Sequence, residues 1–356
     1  MTTPIGNETA GDAVRATFDH LAGVVGSYGA HRLARFADRI PRQLTSYVGV
    51  ELPLGTRRPS PDFLVHIAQP EHLAAPVVRE ALAPFESDLV GLERAMREAP
   101  AYLTQPLHDA WLEWDLSNPC FDRPSVFAAP SQPDSSGANA VWVYEAIAGR
   151  PASAPMRLGA EAFGRSLRGH GMVTQVGVMA PPRLANCRIV VDGSDLGTLV
   201  AAATDGGWPG SVADAENLAS LGGSLGVHGL MDLDLGSDGF LPSLGIELSI
   251  ADDAAHHRVI DAVRDAGLCH PELAAALRRW PFAVVPGDTD AFPARLVRTQ
   301  AFLGSHVRVA VIGWVNHVKI STSAQGSPAA KAYLGIRECV LPVSRPGEVP
   351  HRPSSR

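Results

Sequence analysis

The sequence predicts an α+β fold built on a mainly antiparallel sheet, with helices packed on the sheet's apolar face. Three observations predict it. Helical patterns alternate with pairs of strands rather than with single strands. Several of those pairs are joined by connections too short for a crossover, which permits antiparallel pairing. Five strands carry one apolar and one polar face, as a sheet does when one side covers a core. A doubly wound parallel sheet would instead want one strand per helix and longer, all-apolar strands.

Taken in order, residues 1–12 read as a loose tail. Val14, Phe18, Leu21, Val24, Leu33, Phe36 and Ile40 recur at helical spacing over 13–40, with an interruption at Gly26–Gly29. Tyr47–Leu52 and Phe63–Ala68 read as strands, 71–99 as helical, and Trp111–Leu116 as a strand with clear alternation. Residues 117–139 are rich in Pro, Ser and Gly, with one short strand at Ser125–Ala128, and the end of this stretch is the linker candidate. A helix at Gly159–Leu167 precedes strands at Val173–Met179 and Cys187–Val191. Helical patterns at 194–203 and 213–221 follow, then strands Leu230–Leu235 and Leu244–Ile250 joined by a turn-rich run. A helix over 253–266 stops at Gly267, and a short one covers 271–279. The last strands are Val307–Ile312, His317–Ser321 and Ala332–Ile336, and 341–356 is a Pro-rich tail. Residues 13–340 are thus expected to form a single domain. Gly49-Val50-Glu51-Leu52 echoes Gly245-Ile246-Glu247-Leu248, which would make 13–139 and 140–340 two related halves.

Composition sets the function classes. With 46% hydrophobic and 19% charged residues in 356, the chain has the makings of a packed core. A net charge of -7 argues against nucleic acid or an anionic membrane as the main partner, since both call for a basic footprint. The amino terminus has no apolar signal-peptide core and no window is long and apolar enough for a membrane helix, so a cytoplasmic protein is expected. Four scattered cysteines without a CxxC pair offer neither a disulfide framework nor a thiolate zinc site. No nucleotide or flavin fingerprint occurs in a strand-to-helix context.

The chemistry lies on the polar strand faces, where residues two apart share a side. Glu113 and Asp115 accompany Trp111; Asp232 and Asp234 oppose Met231, Leu233 and Leu235; Glu247 opposes four aliphatics. His317 and Lys319 share one face, and Lys331 and Tyr333 share another. Lys319 and Lys331 are the chain's two lysines among 30 basic residues. A compact ammonium retained where arginine is otherwise used suits an anion site. Two arrangements accommodate these faces: an open sheet with its second side in water, or a closed barrel or deep cleft with a polar interior.

Serial helix–strand–strand units with polar residues facing inward resemble the aromatic prenyltransferases of the ABBA type. The pieces that carry the resemblance are His317-Val318-Lys319 and Lys331-Ala332-Tyr333, with Glu113 or Glu247 on the acceptor side. The resemblance implies an antiparallel barrel ringed by helices and a lumen that takes an allylic diphosphate. It implies that Lys319, Lys331 and Tyr333 hold the anion, that Trp111 walls the cation, and that Glu247 or Glu113 acts on an aromatic or peptide acceptor. Asp232 and Asp234, an Asp-x-Asp pair on one face, would hold Mg²⁺. The same residues fit a second reading, a phosphoserine or phosphothreonine lyase or a peptide cyclase, with a Lys base and His317 as acid. A third is a non-catalytic module that binds a precursor peptide along a sheet edge.

Other motifs read as structure. Gly222-Gly223-Ser224-Leu225-Gly226 matches G-x-S-x-G but lacks a strand before it and a helix after it. Asp252 and Asp253 read as helix caps, Cys269-His270 as a helix start, and Trp208 as the anchor of a Gly-rich turn.

Overall fold

In the computed structural model the residues described are 8–45, 47–67, 107–117, 124–130, 133–180, 186–322 and 327–343. The helical pattern at 71–99 lies outside them, as do Cys120 and most of both tails. The described residues reach into the stretches read as tails: Thr9 bridges to Pro41, a first helix begins at Gly11, and the last strand runs to Pro342.

Ten strands form a closed antiparallel barrel. They are β1 (Tyr47–Pro53), β2 (Asp62–Ile67), β3 (Leu107–Trp114), β4 (Ser125–Pro130), β5 (Gly171–Val178), β6 (Cys187–Gly193), β7 (Gly229–Gly236), β8 (Gly239–Ser249), β10 (Val307–Thr322) and β11 (Ala329–Pro342). Each pairs with the next, β8 pairs with β10, and closure comes from β11 lying between β10 and β1. A three-residue strand, β9 (Phe282–Val284), extends the far end of β10 outside the ring. Of the two arrangements the sequence allowed, the closed one is found, and strands from both expected halves share one barrel.

Alternation explains the layering. On β1, Val48, Val50 and Leu52 point outward and are buried; on β10 Val318 and Ile320 do so, and on β11 Ala332, Leu334 and Ile336. Helices cover them: α1 (Gly11–Ala16), α2 (Phe18–Ala37), α3 (Ala138–Ala148), α4 (Ala154–Leu167), α5 (Leu196–Asp205), α6 (Val212–Ser224), α7 (Asp253–Asp265), α8 (Pro271–Leu277) and α9 (Ala294–Leu303). Phe36 of α2 meets both Phe63 and Trp114 of the wall with ring centroids 5.3 Å apart. Helix starts follow local chemistry. Ser153, Asp195, Ser211 and Asp252 each accept a backbone N–H of the first turn. Gly267 ends α7 at φ +73°, a conformation L side chains disfavour.

The structure departs from the sequence reading in three places. Val307–Ile312 and His317–Ser321 are one 16-residue strand with a bulge between Val315 and His317. Gly313 is not a break: a Cβ there would lie 2.4 Å from the Phe282 ring, so glycine admits β9. The Pro/Ser/Gly stretch ends at α3, entered through Gly137 at φ +71° against the backbone of α4. Helix α9 and strand β9 were not read from the sequence.

Candidate active site

Closure turns the polar strand faces into a lumen. Nine of the ten residues singled out on polar strand faces stand on these inward faces: Trp111 and Glu113 on β3, Asp232 and Asp234 on β7, Glu247 on β8, His317 and Lys319 on β10, Lys331 and Tyr333 on β11. Asp115 follows the end of β3 and is exposed. Register brings the key groups side by side. Lys319 faces Lys331 on one flank and Glu247 on the other, while His317 faces Tyr333. Sequence reasoning missed further lumen residues: Glu51, Asp62, Arg188, Tyr47, His66 and Trp314.

Lys319, Arg188 and Lys331 each already hold a carboxylate. Lys319 Nζ donates to Asp232 Oδ1 at 2.7 Å, both side chains nearly inaccessible. Arg188 grips Asp234 with two parallel bonds of 2.8 and 3.0 Å and lies 3.5 Å from Asp232. Lys331 donates to Glu51, which is 1% exposed. Asp232 and Asp234 are therefore the counter-ions of Lys319 and Arg188, and not a free pair for Mg²⁺. A different trio has the spacing for a hard cation. Glu51, Asp62 and Glu113 each offer one carboxylate oxygen, all within 4.8 Å of one another. Among the described residues no ion pair reaches Asp62 or Glu113.

This crowding sets the proton occupancies. Burial pushes Glu51 up, but Lys331 beside it and the Tyr333 hydroxyl hold it at about 2. Burial, then Glu51 and Glu113, raise Asp62 to about 9. Burial and Glu51 raise Glu113 to about 7, and burial with Asp232 raises Glu247 to about 7 against the pull of Lys319. Glu51 raises Lys331 above the ordinary lysine value. His317 is lowered to about 3 by burial and by Lys319. It stacks on Tyr333, centroids 4.0 Å apart, with Nε2 3.7 Å from Glu247.

These states weigh on the alternatives. A lyase needs a neutral lysine and a protonated histidine. Here Lys331 is held charged by Glu51, Lys319 is bound to Asp232, and His317 carries no acidic proton near neutrality. Closure also removes the long sheet edge that a peptide-binding module would use; among the described residues only short β9 ends the sheet.

Above the charged layer lies an aromatic one. Tyr47 sits 4.7 Å from His66, 5.0 Å from Trp111 and 5.2 Å from Trp314, and His66 lies 4.5 Å from Trp111. Gly49 and Gly335 are register partners between the two layers, and a Cβ on Gly335 would fall 2.3 Å from the Trp314 indole. Trp111, Glu113, Glu247, His317, Trp314 and Tyr333 all keep intermediate accessibility although the wall encloses them, so they line open space inside the barrel.

No protein-family model and no curated protein sequence matches the chain. Solved structures do. The crystal structure of AnaPT from Neosartorya fischeri aligns with a TM-score of 0.52 at 12% identity, covering 90% of this chain and 91% of that one. The crystal structure of NotF prenyltransferase aligns at 0.46 and 12% identity, covering 94% and 96%. NotF in complex with brevianamide F and DMSPP aligns at 0.47 and 10%, covering 93% and 95%. The likeness to AnaPT shows the fold: this chain has the barrel of the ABBA-type aromatic prenyltransferases, as its strand pattern resembled.

Proposed function

We propose that the chain transfers a prenyl group from an allylic diphosphate to an aromatic acceptor, inside the barrel. One observation carries this reading: a charged layer with two adjacent lysines directly beneath an aromatic wall, enclosed in a lumen. The two layers match the two halves of the reaction. The C1–O bond of the donor breaks, and diphosphate leaves with the electron pair. A ring carbon of the acceptor forms the new bond to C1, and the proton on that carbon goes to a carboxylate, restoring aromaticity.

Lys319, Lys331 and Tyr333 are placed to take the leaving diphosphate, by exchanging carboxylate for phosphate oxygens. Trp111, Tyr47 and Trp314 offer ring faces to the allylic cation. Glu247 or Glu113 takes the proton: a carboxyl at about 7 is partly ionised at neutral pH and basic enough to accept it. Glu51, at about 2, is too weak a base and serves to hold Lys331 and Tyr333. His317 orients Tyr333 by stacking and gives up the acid role that the sequence suggested. If the reaction uses Mg²⁺, Glu51, Asp62 and Glu113 would hold it, and it would add positive charge beside the diphosphate.

The test is thermal-shift binding of pyrophosphate and of dimethylallyl and geranyl diphosphates, with Mg²⁺ and with EDTA, on wild type, Lys319→Met and Lys331→Met. A ligand of the folded state raises the melting temperature. Stabilisation that disappears in both variants supports the reading. No stabilisation by any phosphate species sinks it.

A further inference from the structure

Outside the barrel, the turn between β1 and β2 meets helices α2 and α8 around a cavity of about 330 Å³. Arg57, Arg58 and Arg279 line it, and Glu272 is the one acid among its lining residues. The helix residues that floor it are mostly small, and Gly23 has open space where a Cβ would stand. Gly26 breaks α2 at φ +74°, and the Arg58 stem lies over the break, its Cδ 3.6 Å from where a Cβ would be. The turn is fixed in place. Leu54 at its start is fully buried, and its carbonyl accepts the backbone N–H of His270, the cap of α8, at 2.9 Å. Arg57 Nε donates to Glu272 at 2.6 Å, with both side chains exposed. Such a pair is worth little and opens readily to an incoming anion. Among the described residues no carboxylate pairs with Arg58 or Arg279. Like charges around one cavity repel, and in a chain of net charge -7 these have no acids of their own to offset them.

We infer that this cavity is a binding site for a phosphate dianion, separate from the lumen. A guanidinium presents paired N–H donors that match two oxygens of a phosphate. A phosphate has oxygens enough for three guanidinium groups, where a carboxylate has two. The cavity is small and concave, which suits free phosphate or a phosphate monoester. A nucleic acid would meet the chain's overall negative charge. Bound there, the anion ties the β1–β2 turn to α8 across the break in α2. Lys319, Lys331 and Arg188 take no part, so the site stands whether or not the lumen transfers a prenyl group.

Calorimetric titration with inorganic phosphate and with glucose 6-phosphate, in a phosphate-free buffer at fixed ionic strength, tests the inference. Charge-assisted contacts at an exposed surface predict a Kd on the order of 1 mM. At that strength the site stays empty at micromolar concentrations of a lumen donor. Binding of either probe supports the site, and the tighter of the two identifies the source of the phosphate. Arg58→Gln with Arg279→Gln should keep the melting temperature and weaken binding at least about 10-fold. Glu272→Gln frees Arg57 while Leu54 still pins the turn, and should tighten binding about threefold. Hydrogen exchange should show phosphate protecting residues 54–61 in the wild type and not in the double arginine variant. Three results would overturn the inference: no binding of either probe at about ten times that concentration, chloride displacing phosphate at equal concentration, or the double arginine variant binding like the wild type. Heparin binding in place of both probes would also overturn it, by assigning the arginines to a polyanion.

Discussion

Lys319→Met should destabilise the protein by about 3 kcal/mol, and adding Asp232→Asn should restore most of that loss. The reasoning starts from a buried pair, 5% and 3% exposed, joined at 2.7 Å. At an effective dielectric of about 20 the attraction is roughly 6 kcal/mol, largely offset by removing both ions from water. Taking away the lysine alone removes the attraction and leaves Asp232 desolvated, which costs about 3–5 kcal/mol in buried pairs. Arg188 at 3.5 Å keeps part of the compensation, so the low end applies. The double variant carries no uncompensated charge, and Arg188 retains its two bonds to Asp234. Urea denaturation followed by circular dichroism measures both. Two results would refute the reasoning: a loss below about 1 kcal/mol in Lys319→Met, or a double variant no more stable than the single one.

Further outcomes follow from the same geometry. Asp62, Glu113 and Glu247 bind protons in the fold that the unfolded chain releases at ordinary carboxyl values. Their contribution is present at low pH and is lost as pH rises toward about 7 for the two glutamates and about 9 for Asp62. Glu51 acts in the opposite sense, losing its contribution as pH falls toward about 2. The melting temperature of the ligand-free protein should therefore peak near pH ~5 and decline toward pH ~9, which differential scanning fluorimetry across pH reads directly. Gly335→Ala places a Cβ 2.3 Å from Trp314 and should cost about 1–3 kcal/mol while altering the near-ultraviolet circular dichroism of the indoles. Asp252→Ala removes the 2.7 Å cap of α7 and should cost about 1 kcal/mol in denaturation without changing ligand binding.

What the sequence made legible was set by alternation and by local chemistry. A charged residue every second position against an aliphatic partner placed Lys319, Lys331, Asp232 and Glu247 on one side of their strands before any fold was known. The caps at Asp252 and Gly267 marked α7. Arg188 carried the same signal, flanked by Cys187 and Ile189, and Glu51 carried it in the echo of Gly245–Leu248; both could have been found by extending the face argument to every strand. The pairing of charges was not legible. Whether Asp232 meets a metal ion or Lys319 depends on closure and on register across β7, β8 and β10, which are long-range properties. The aromatic wall was hidden for the same reason. Tyr47, His66 and Trp111 are register partners on β1, β2 and β3, and Trp314 of β10 joins them only when β11 lies between β10 and β1. Helix α3 escaped because its entry is a left-handed glycine in a Pro- and Ser-rich run, which reads locally as a linker.

The central claim is that the lumen between the lysine pair and the aromatic wall is where donor and acceptor meet. A crystal structure with a non-reactive allylic thiolodiphosphate tests it most directly. The account predicts the diphosphate on Lys319, Lys331 and Tyr333 and the prenyl chain against Trp111 and Trp314. A donor analogue outside the barrel, or a lumen in which Lys319 and Lys331 keep their carboxylates while the diphosphate binds elsewhere, would contradict it.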